Sequence, residues 1–196
     1  MNIMTRSYQL RQRAESQDRT RQKIVKAAIE LHQTKGPAAT SMNDIAERAK
    51  VGKVTVYRHF PDDAAMINAC SGLYFQRHPF PDPETWRSIQ DATEMLRQGL
   101  SEIYTYHQST EAMMNHVMAE MRNDPLMAPY HDHWRRAVDI LTAAWPVTGH
   151  RRKKLKAAIA LALSFETWRS LVQENGLTES QAVELMLRLT CGCPSA

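Results

Sequence analysis

Between Thr40 and Phe60 the chain reads TSMNDIAERAKVGKVTVYRHF, and its apolar positions fall into two short helical sets. Met42, Ile45, Ala46 and Ala49 recur at i, i+3, i+4 and i+7, one face of a first helix. Thr40 or Ser41 stands where an N-cap hydroxyl would accept a free N–H group. Gly52 is placed to take the positive φ that a tight turn demands. The second set is sparse: only Val56 and Phe60 share a core-facing spacing. Lys53, Thr55, Tyr57, Arg58 and His59 occupy the other positions, all hydrogen-bond donors and none acidic. So short a helix is unstable alone, so its neighbours must hold it and leave its polar face displayed.

The same periodicity predicts an all-α chain of about nine helices, because no stretch alternates with period two. Upstream, Ile24, Ala27, Ala28 and Leu31 share a face of a helix over 18–35 that stops at Gly36. Residues 1–17 are polar and rich in Gln and Arg without a clear period, which predicts a flexible basic arm. Helices follow over 42–49, 53–59 and 62–77, and then His78-Pro-Phe-Pro-Asp-Pro83 interrupts. The expected organisation is an arm (1–17), a first domain (18–78) and a larger second domain (79–196). In the second domain the spacing predicts helices over 83–107, 111–123, 126–144 (bent at Pro129) and 151–174, the last ended by Gly176. A final helix opens on the capping-box pattern Thr178-Glu-Ser-Gln181 and runs to about 190.

Two of these helices are apolar almost all the way round. Ala157–Phe165 shows this, and Ala182, Val183, Leu185, Met186, Leu187 and Leu189 do nearly the same. A helix apolar on every side must be buried on every side, and a domain of this size offers a terminal helix one protein face. The other face implies a second copy of the chain, with Ala158, Ala162, Leu185 and Leu189 in the interface.

A capped helix, a tight turn and a short displayed helix together form a helix-turn-helix, whose second helix lies in the major groove of DNA. The segment from Arg21 to Met66 resembles the N-terminal domain of TetR-family transcriptional regulators. The resemblance runs through Arg21–Gly36, Thr40-Ser41, Asp44-Ile45-Ala46, the turn Ala49–Gly52 and Tyr57-Arg58-His59-Phe60, with the spacing kept. It implies that Lys53, Val54, Thr55, Tyr57 and Arg58 face DNA, that Asn43 reaches a base edge, and that Tyr57, His59, Thr40 and Ser41 hold phosphates. It also implies homodimerisation through the last two helices, a palindromic double-stranded operator, and a small-molecule effector that releases a repressor. The chain departs from the family pattern at His32, Gly52, Val54 and Asp63. The family commonly places a phosphate-binding Lys where Asp63 falls, and an aspartate there would repel phosphate.

Charge sharpens this picture. Residues 1–60 hold twelve Lys and Arg against five Asp and Glu, a balance of +7, and the remainder thirteen against sixteen, a balance of −3. The basic excess lies in the segment that carries the helix-turn-helix, as phosphate neutralisation requires. No run of apolar residues is long enough to span a membrane and no secretory leader is visible, so the expected location is the cytoplasm. Three cysteines make no disulfide framework.

Other chemistry is thin. His131-Asp132-His133 and Cys191-Gly-Cys193 have poor ligand spacing, so no metal or cofactor is expected, although the two cysteines leave redox sensing open. Ser164 lies in an Ala-rich helix and not on a strand-to-helix elbow, and no Gly-rich phosphate loop occurs, which argues against an enzyme. Met113, Met114, Val117, Met118 and Met121 place adaptable side chains together in the second domain. Tyr104, Trp134, Phe165 and Trp168 could wall an effector pocket, with His116 and Tyr130 orienting a polar group. The alternative is a helical dimeric interaction or ligand-binding module whose DNA-binding domain is weak or non-specific.

Overall fold

α1 (Ile3–Lys35) is 33 residues long and begins far upstream of the helix expected over 18–35. The computed structural model describes residues 3–192, and no strand occurs among them. The stretch expected as a flexible arm is therefore helical from Ile3 onward, which corrects that reading. It has no Gly or Pro to break it. Its outer face is knit by local pairs: Arg11 Nε to Glu15 Oε1 at 3.1 Å and Gln12 Nε2 to Tyr8 Oη at 2.9 Å. Burial begins only at Ile24, so residues 8–19 form an exposed helical extension.

The chain divides into two units, Met1–Arg77 with Asn115–Arg122, and His78–Met114 with Asn123–Ala196. In the first, α1 packs on α2 (Met42–Ala49) and on α4 (Asp63–Arg77), and α2 packs on α3 (Lys53–His59). Ile24 and Ala28 of α1, Ile45 and Ala49 of α2, Val56 of α3 and Met66 of α4 fill the core. The last turns of α5 (Ala92–Met121) also belong to this unit, which a boundary drawn at the proline-rich segment 78–83 had placed elsewhere.

The second unit opens with a 3-10 helix (Pro83–Ser88) and then α5, which replaces the two helices expected over 83–107 and 111–123. Nothing breaks the helix between them: the hydroxyls of Ser109 and Thr110 donate to the Tyr106 carbonyl at 2.9 and 2.8 Å, inside the helix. After a 3-10 turn (Pro125–Met127), α6 (Ala128–Ala143) takes Pro129 in its first turn, where proline loses nothing, so the expected bend does not occur. The helix expected over 151–174 is three pieces: α7 (Gly149–Ala162), α8 (Phe165–Trp168) and a π-helical turn (Arg169–Glu174). Ser164 causes the break, capping α8 through a hydrogen bond from Thr167 N at 3.2 Å. Asn175 ends the π turn, and Gly176 takes the positive φ of 69° that follows. α9 (Glu179–Cys191) starts at the Thr178/Gln181 capping box and packs on α7.

Candidate nucleic-acid interface

The helix-turn-helix is fixed from below. Ser41 caps α2: its Oγ accepts from Asp44 N at 3.2 Å, and the Asp44 carboxylate accepts from Ser41 N at 2.8 Å. Hydrogen bonds from Lys35 and Ser41 hold the Asp44 carboxyl well below the usual carboxylate range. Lys35 Nζ reaches Asp44 at 2.8 Å, and Arg48 Nε reaches Glu30 at 2.8 Å, pinning both ends of α2 to α1. The turn does not use Gly52 as expected. Lys50 takes the left-handed conformation (φ 53°), with its N–H and that of Val51 donating to the Glu47 and Ala46 carbonyls. Gly52 has φ −71° and serves as the N-cap of α3.

α3 is anchored by two side chains of zero exposure, Val56 and Phe60. Sequence reasoning missed a third anchor on α1. The Arg21 guanidinium lies 4.4 Å from the Phe60 ring centroid and donates from Nη1 to the His59 carbonyl at 3.2 Å. Its signal was an Arg on the outer side of a basic helix, indistinguishable in sequence from any solvated cation.

On this framework Ser41, Asn43, Lys53, Val54, Tyr57 and Arg58 are exposed, with Val54 81% exposed, while Thr40, Thr55 and His59 are half-buried. Asn43, Lys53 and Arg58 make no hydrogen bond or ion pair within the described residues; Lys53 Nζ lies 5.8 Å from the Tyr57 ring centroid. Three of the expected phosphate ligands are otherwise engaged. Thr40 Oγ1 donates to the Gly36 carbonyl at 2.7 Å, and Ser41 Oγ donates to Asp44 at 2.7 Å. His59 Nε2 is enclosed without a hydrogen bond, and desolvation, then Arg58 and Arg21, push its pKa down. A neutral ring with that nitrogen shielded is a poor phosphate ligand. Asp63 is exposed in the first turn of α4.

The proposed effector residues are divided between the two units. His116, Val117 and Met121 belong to the first unit, and the other seven to the second. Met113 and Met114 are buried there, and Tyr104, Tyr130, Phe165 and Trp168 lie in its core. His107, missed from sequence, sits among them at 0% exposure, its ring centroid 5.5 Å from those of Trp134 and Phe165 and 6.0 Å from that of Trp168. Of the proposed dimer residues, Ala162 is wholly buried in its own subunit and accepts from Tyr104 Oη at 3.0 Å, which removes it from the interface. Leu185 and Leu189 are 37% and 61% exposed and Ala158 is half-buried; Leu161 of α7, at 62%, joins them. Cys191 is exposed with a pKa raised by partial desolvation, which disfavours its thiolate, and Cys193 lies outside the described residues. His133 stacks on Phe80 at 4.5 Å and Asp132 pairs with Arg135 at 2.9 Å.

Residues 24–70, from the buried face of α1 to the middle of α4, match the family model "Bacterial regulatory proteins, tetR family". Residues 24–70 thus resemble the DNA-binding segment of that family. The uncharacterized HTH-type transcriptional regulator YdeS of Bacillus subtilis (strain 168) is 39% identical over 82 residues, 40% of this chain and 41% of that protein. The chain thus matches less than half the length of this curated relative. A TetR-like transcriptional regulator from Rhodococcus sp. RHA1 shares the fold with a TM-score of 0.60 at 17% identity, covering 88% of this chain and 93% of that one. NalD of Pseudomonas aeruginosa, the secondary repressor of the MexAB-OprM multidrug efflux pump, does so with a TM-score of 0.59 at 20% identity, covering 91% and 96%. YdeS and the Rhodococcus protein are transcriptional regulators, and NalD is a repressor, by name. No helix among the described residues is long and apolar enough to cross a membrane.

Proposed function

We propose that this chain is a TetR-type regulator acting in the cytoplasm as a homodimeric, sequence-specific DNA-binding protein, a repressor released from a palindromic operator by a small effector. One observation carries the DNA reading. α3 is locked by Val56, Phe60 and Arg21 while Lys53, Val54, Tyr57 and Arg58 project from it, exposed. A surface that offers the donors of Lys53, Tyr57 and Arg58 beside the apolar Val54, with no acidic residue on the helix, suits base edges and phosphates. With His59 shielded, Tyr57, Lys53 and Arg58 make the DNA contacts, helped by Asn43 from α2. Two such helices on a dimer must meet half-sites about one helical turn apart, roughly 34 Å.

The effector reading rests on the second unit. His107 Nδ1 and the indole N–H groups of Trp134 and Trp168 are buried without hydrogen-bond partners in one aromatic cluster. Buried polar groups are normally satisfied, and a ligand carrying its own donor and acceptors would satisfy these. Such a ligand lowers DNA affinity by as much as it prefers the conformer with the wrong half-site separation.

The test is the ratio of affinities for genomic operator fragments and random DNA at one fixed salt concentration. A ratio of about 10³ or more is expected. A ratio near one would leave a non-specific DNA-binding protein, and no retardation of any fragment would leave a helical ligand-binding module.

A further inference from the structure

A cleft of about 300 Å³ lies inside the first unit. Its walls combine three methionines, Met42, Met66 and Met121, with three titratable side chains, His32, Asp63 and Glu120. The methionines supply an adaptable apolar lining. Glu120 is held in place by the α1–α2 loop: its Oε2 accepts from Ala38 N at 2.8 Å. Gly36 makes this approach possible, since it adopts φ 86° and a Cβ there would overlap the Glu120 carboxylate. The second oxygen, Oε1, lies against Gly36 and 4.0 Å from His116 Nδ1, and the Glu120 side chain forms part of the cleft wall.

His32 is the second pointer. It is 6% exposed, its ring makes no hydrogen bond within the described residues, and burial pushes its pKa down against the pull of Glu120, which favours the neutral ring. A neutral imidazole keeps one nitrogen as an acceptor and wants a donor. The cleft is therefore lined by two carboxylates, an imidazole and an apolar set of side chains. An anion would be repelled, and a neutral apolar molecule would offer nothing to the Glu120 and Asp63 carboxylates. The titratable groups do not converge as a metal-binding set among the described residues.

We propose that this cleft is a binding site for a small apolar molecule bearing a primary ammonium group, its N–H donors directed to the Glu120 carboxylate and the His32 ring and its body against Met42, Met66 and Met121. The cleft belongs to the first unit, whereas the effector cluster belongs to the second. Its walls include α2 and α4, the elements on either side of α3, so an occupant bears directly on the presentation of the recognition helix.

The experiment uses the full chain labelled with ¹³C at the methionine methyl groups and titrated with 2-phenylethylamine at pH 7.5. The methyl signals of Met42, Met66 and Met121 should shift saturably while those of Met113 and Met114 stay in place. The neutral and anionic matches, 2-phenylethanol and phenylacetate, should bind at least tenfold more weakly. Glu120→Gln should weaken the amine at least tenfold and erase its advantage over the alcohol. Because that variant also loosens Ala38, Asp63→Asn provides a milder control and should weaken the amine two- to threefold with the fold intact. Unmoved methyl signals at Met42, Met66 and Met121 at millimolar amine overturn the proposal. So does movement confined to Met113 and Met114, or equal binding of the three compounds.

Discussion

His107 Nε2 lies 3.0 Å from the carbonyl oxygen of Leu163, the residue that closes α7. One turn earlier on α5, Tyr104 Oη donates to the Ala162 carbonyl at 3.0 Å. Two side chains of α5 thus satisfy two carbonyls that the break at Ser164 would otherwise orphan inside the core. A carbonyl can only accept, so the proton of His107 sits on Nε2 and Nδ1 is the bare nitrogen that finds no partner. The break is what lets α8 turn Phe165 and Trp168 inward, both almost fully buried.

This arrangement sets a pH dependence. Burial lowers the His107 pKa from 6.5 to about 4. Between those values the unfolded chain binds a proton that the folded chain refuses, so stability falls as pH drops through this window and levels off below it. The loss attributable to His107 should reach about 3 kcal/mol. His107→Gln keeps a donor for Leu163, and the gap between wild type and variant should narrow progressively from pH 7 to pH 4. His32, His59 and His133, also shifted down, are common to both proteins and cancel. Urea unfolding followed by tryptophan fluorescence reads the second unit, which holds all four tryptophans. Parallel pH profiles would contradict the assignment.

Arg21 should matter more than its exposure suggests. Its stacking on Phe60 and its hydrogen bond to the His59 carbonyl hold the C-terminal end of α3. Arg21→Ala should cost about 1 kcal/mol of stability and weaken operator binding. Arg21→Lys should rescue little, because an ammonium cannot both stack and bond in the same geometry. Full rescue by Lys would make Arg21 a simple phosphate ligand.

The sequence was most legible where short-range rules decide. The residues Met42, Ile45, Ala46 and Ala49 are the buried face of α2, and Val56 and Phe60 are the anchors of α3. It was less legible where tertiary partners decide. The turn chose Lys50 for its left-handed residue because two α2 carbonyls were there to receive the N–H groups of Lys50 and Val51. The break at Ser164 depends on His107 and Tyr104, fifty or more residues away, and no local pattern announces them. The extension of α1 was misread because exposed helices carry no apolar period to detect.

Arg58 separates base readout from phosphate binding. Free of internal partners and exposed on α3, it suits bidentate hydrogen bonding to guanine. Arg58→Ala should cost about 1–3 kcal/mol on operator and relax preference at one base position. Lys53→Ala should instead weaken all sequences alike and flatten the salt slope. Competition binding against single-base operator variants distinguishes them, and a uniform loss for Arg58→Ala would move it to the phosphate class.

The helical extension of α1 carries Arg11, Arg13 and Arg19 on an exposed rod rather than on a loose tail. A rod restricts where its charges can reach. Removing residues 1–17 should reduce the salt slope of binding by about 0.9 for each phosphate that the extension neutralises. Replacing Glu15 with Gly should lower helicity by circular dichroism, since it removes the Arg11 partner and adds a helix breaker. If that variant binds operator with unchanged slope, the helical state of the extension has no part in DNA binding.

On the proposed function, operator binding depends most on a second copy of the chain, because one recognition helix touches too little DNA for specific affinity. With Ala162 in the subunit core, the face left for association is Leu161 of α7 with Leu185 and Leu189 of α9, two helices that pack together in the second unit. Leu161 and Leu189 are each more than half exposed, a state that costs apolar hydration in a monomer and is relieved by a partner. Leu189→Glu would bury a charge without a counterion and should weaken association at least a hundredfold, about 3 kcal/mol. Because the side chain is outside the subunit core, the variant should fold with an unchanged circular dichroism spectrum. Sedimentation at micromolar concentration should then show a monomer that no longer retards operator. A Leu189→Glu protein that stays dimeric places the interface on another face, whereas one that unfolds places Leu189 in a core that its 61% exposure excludes.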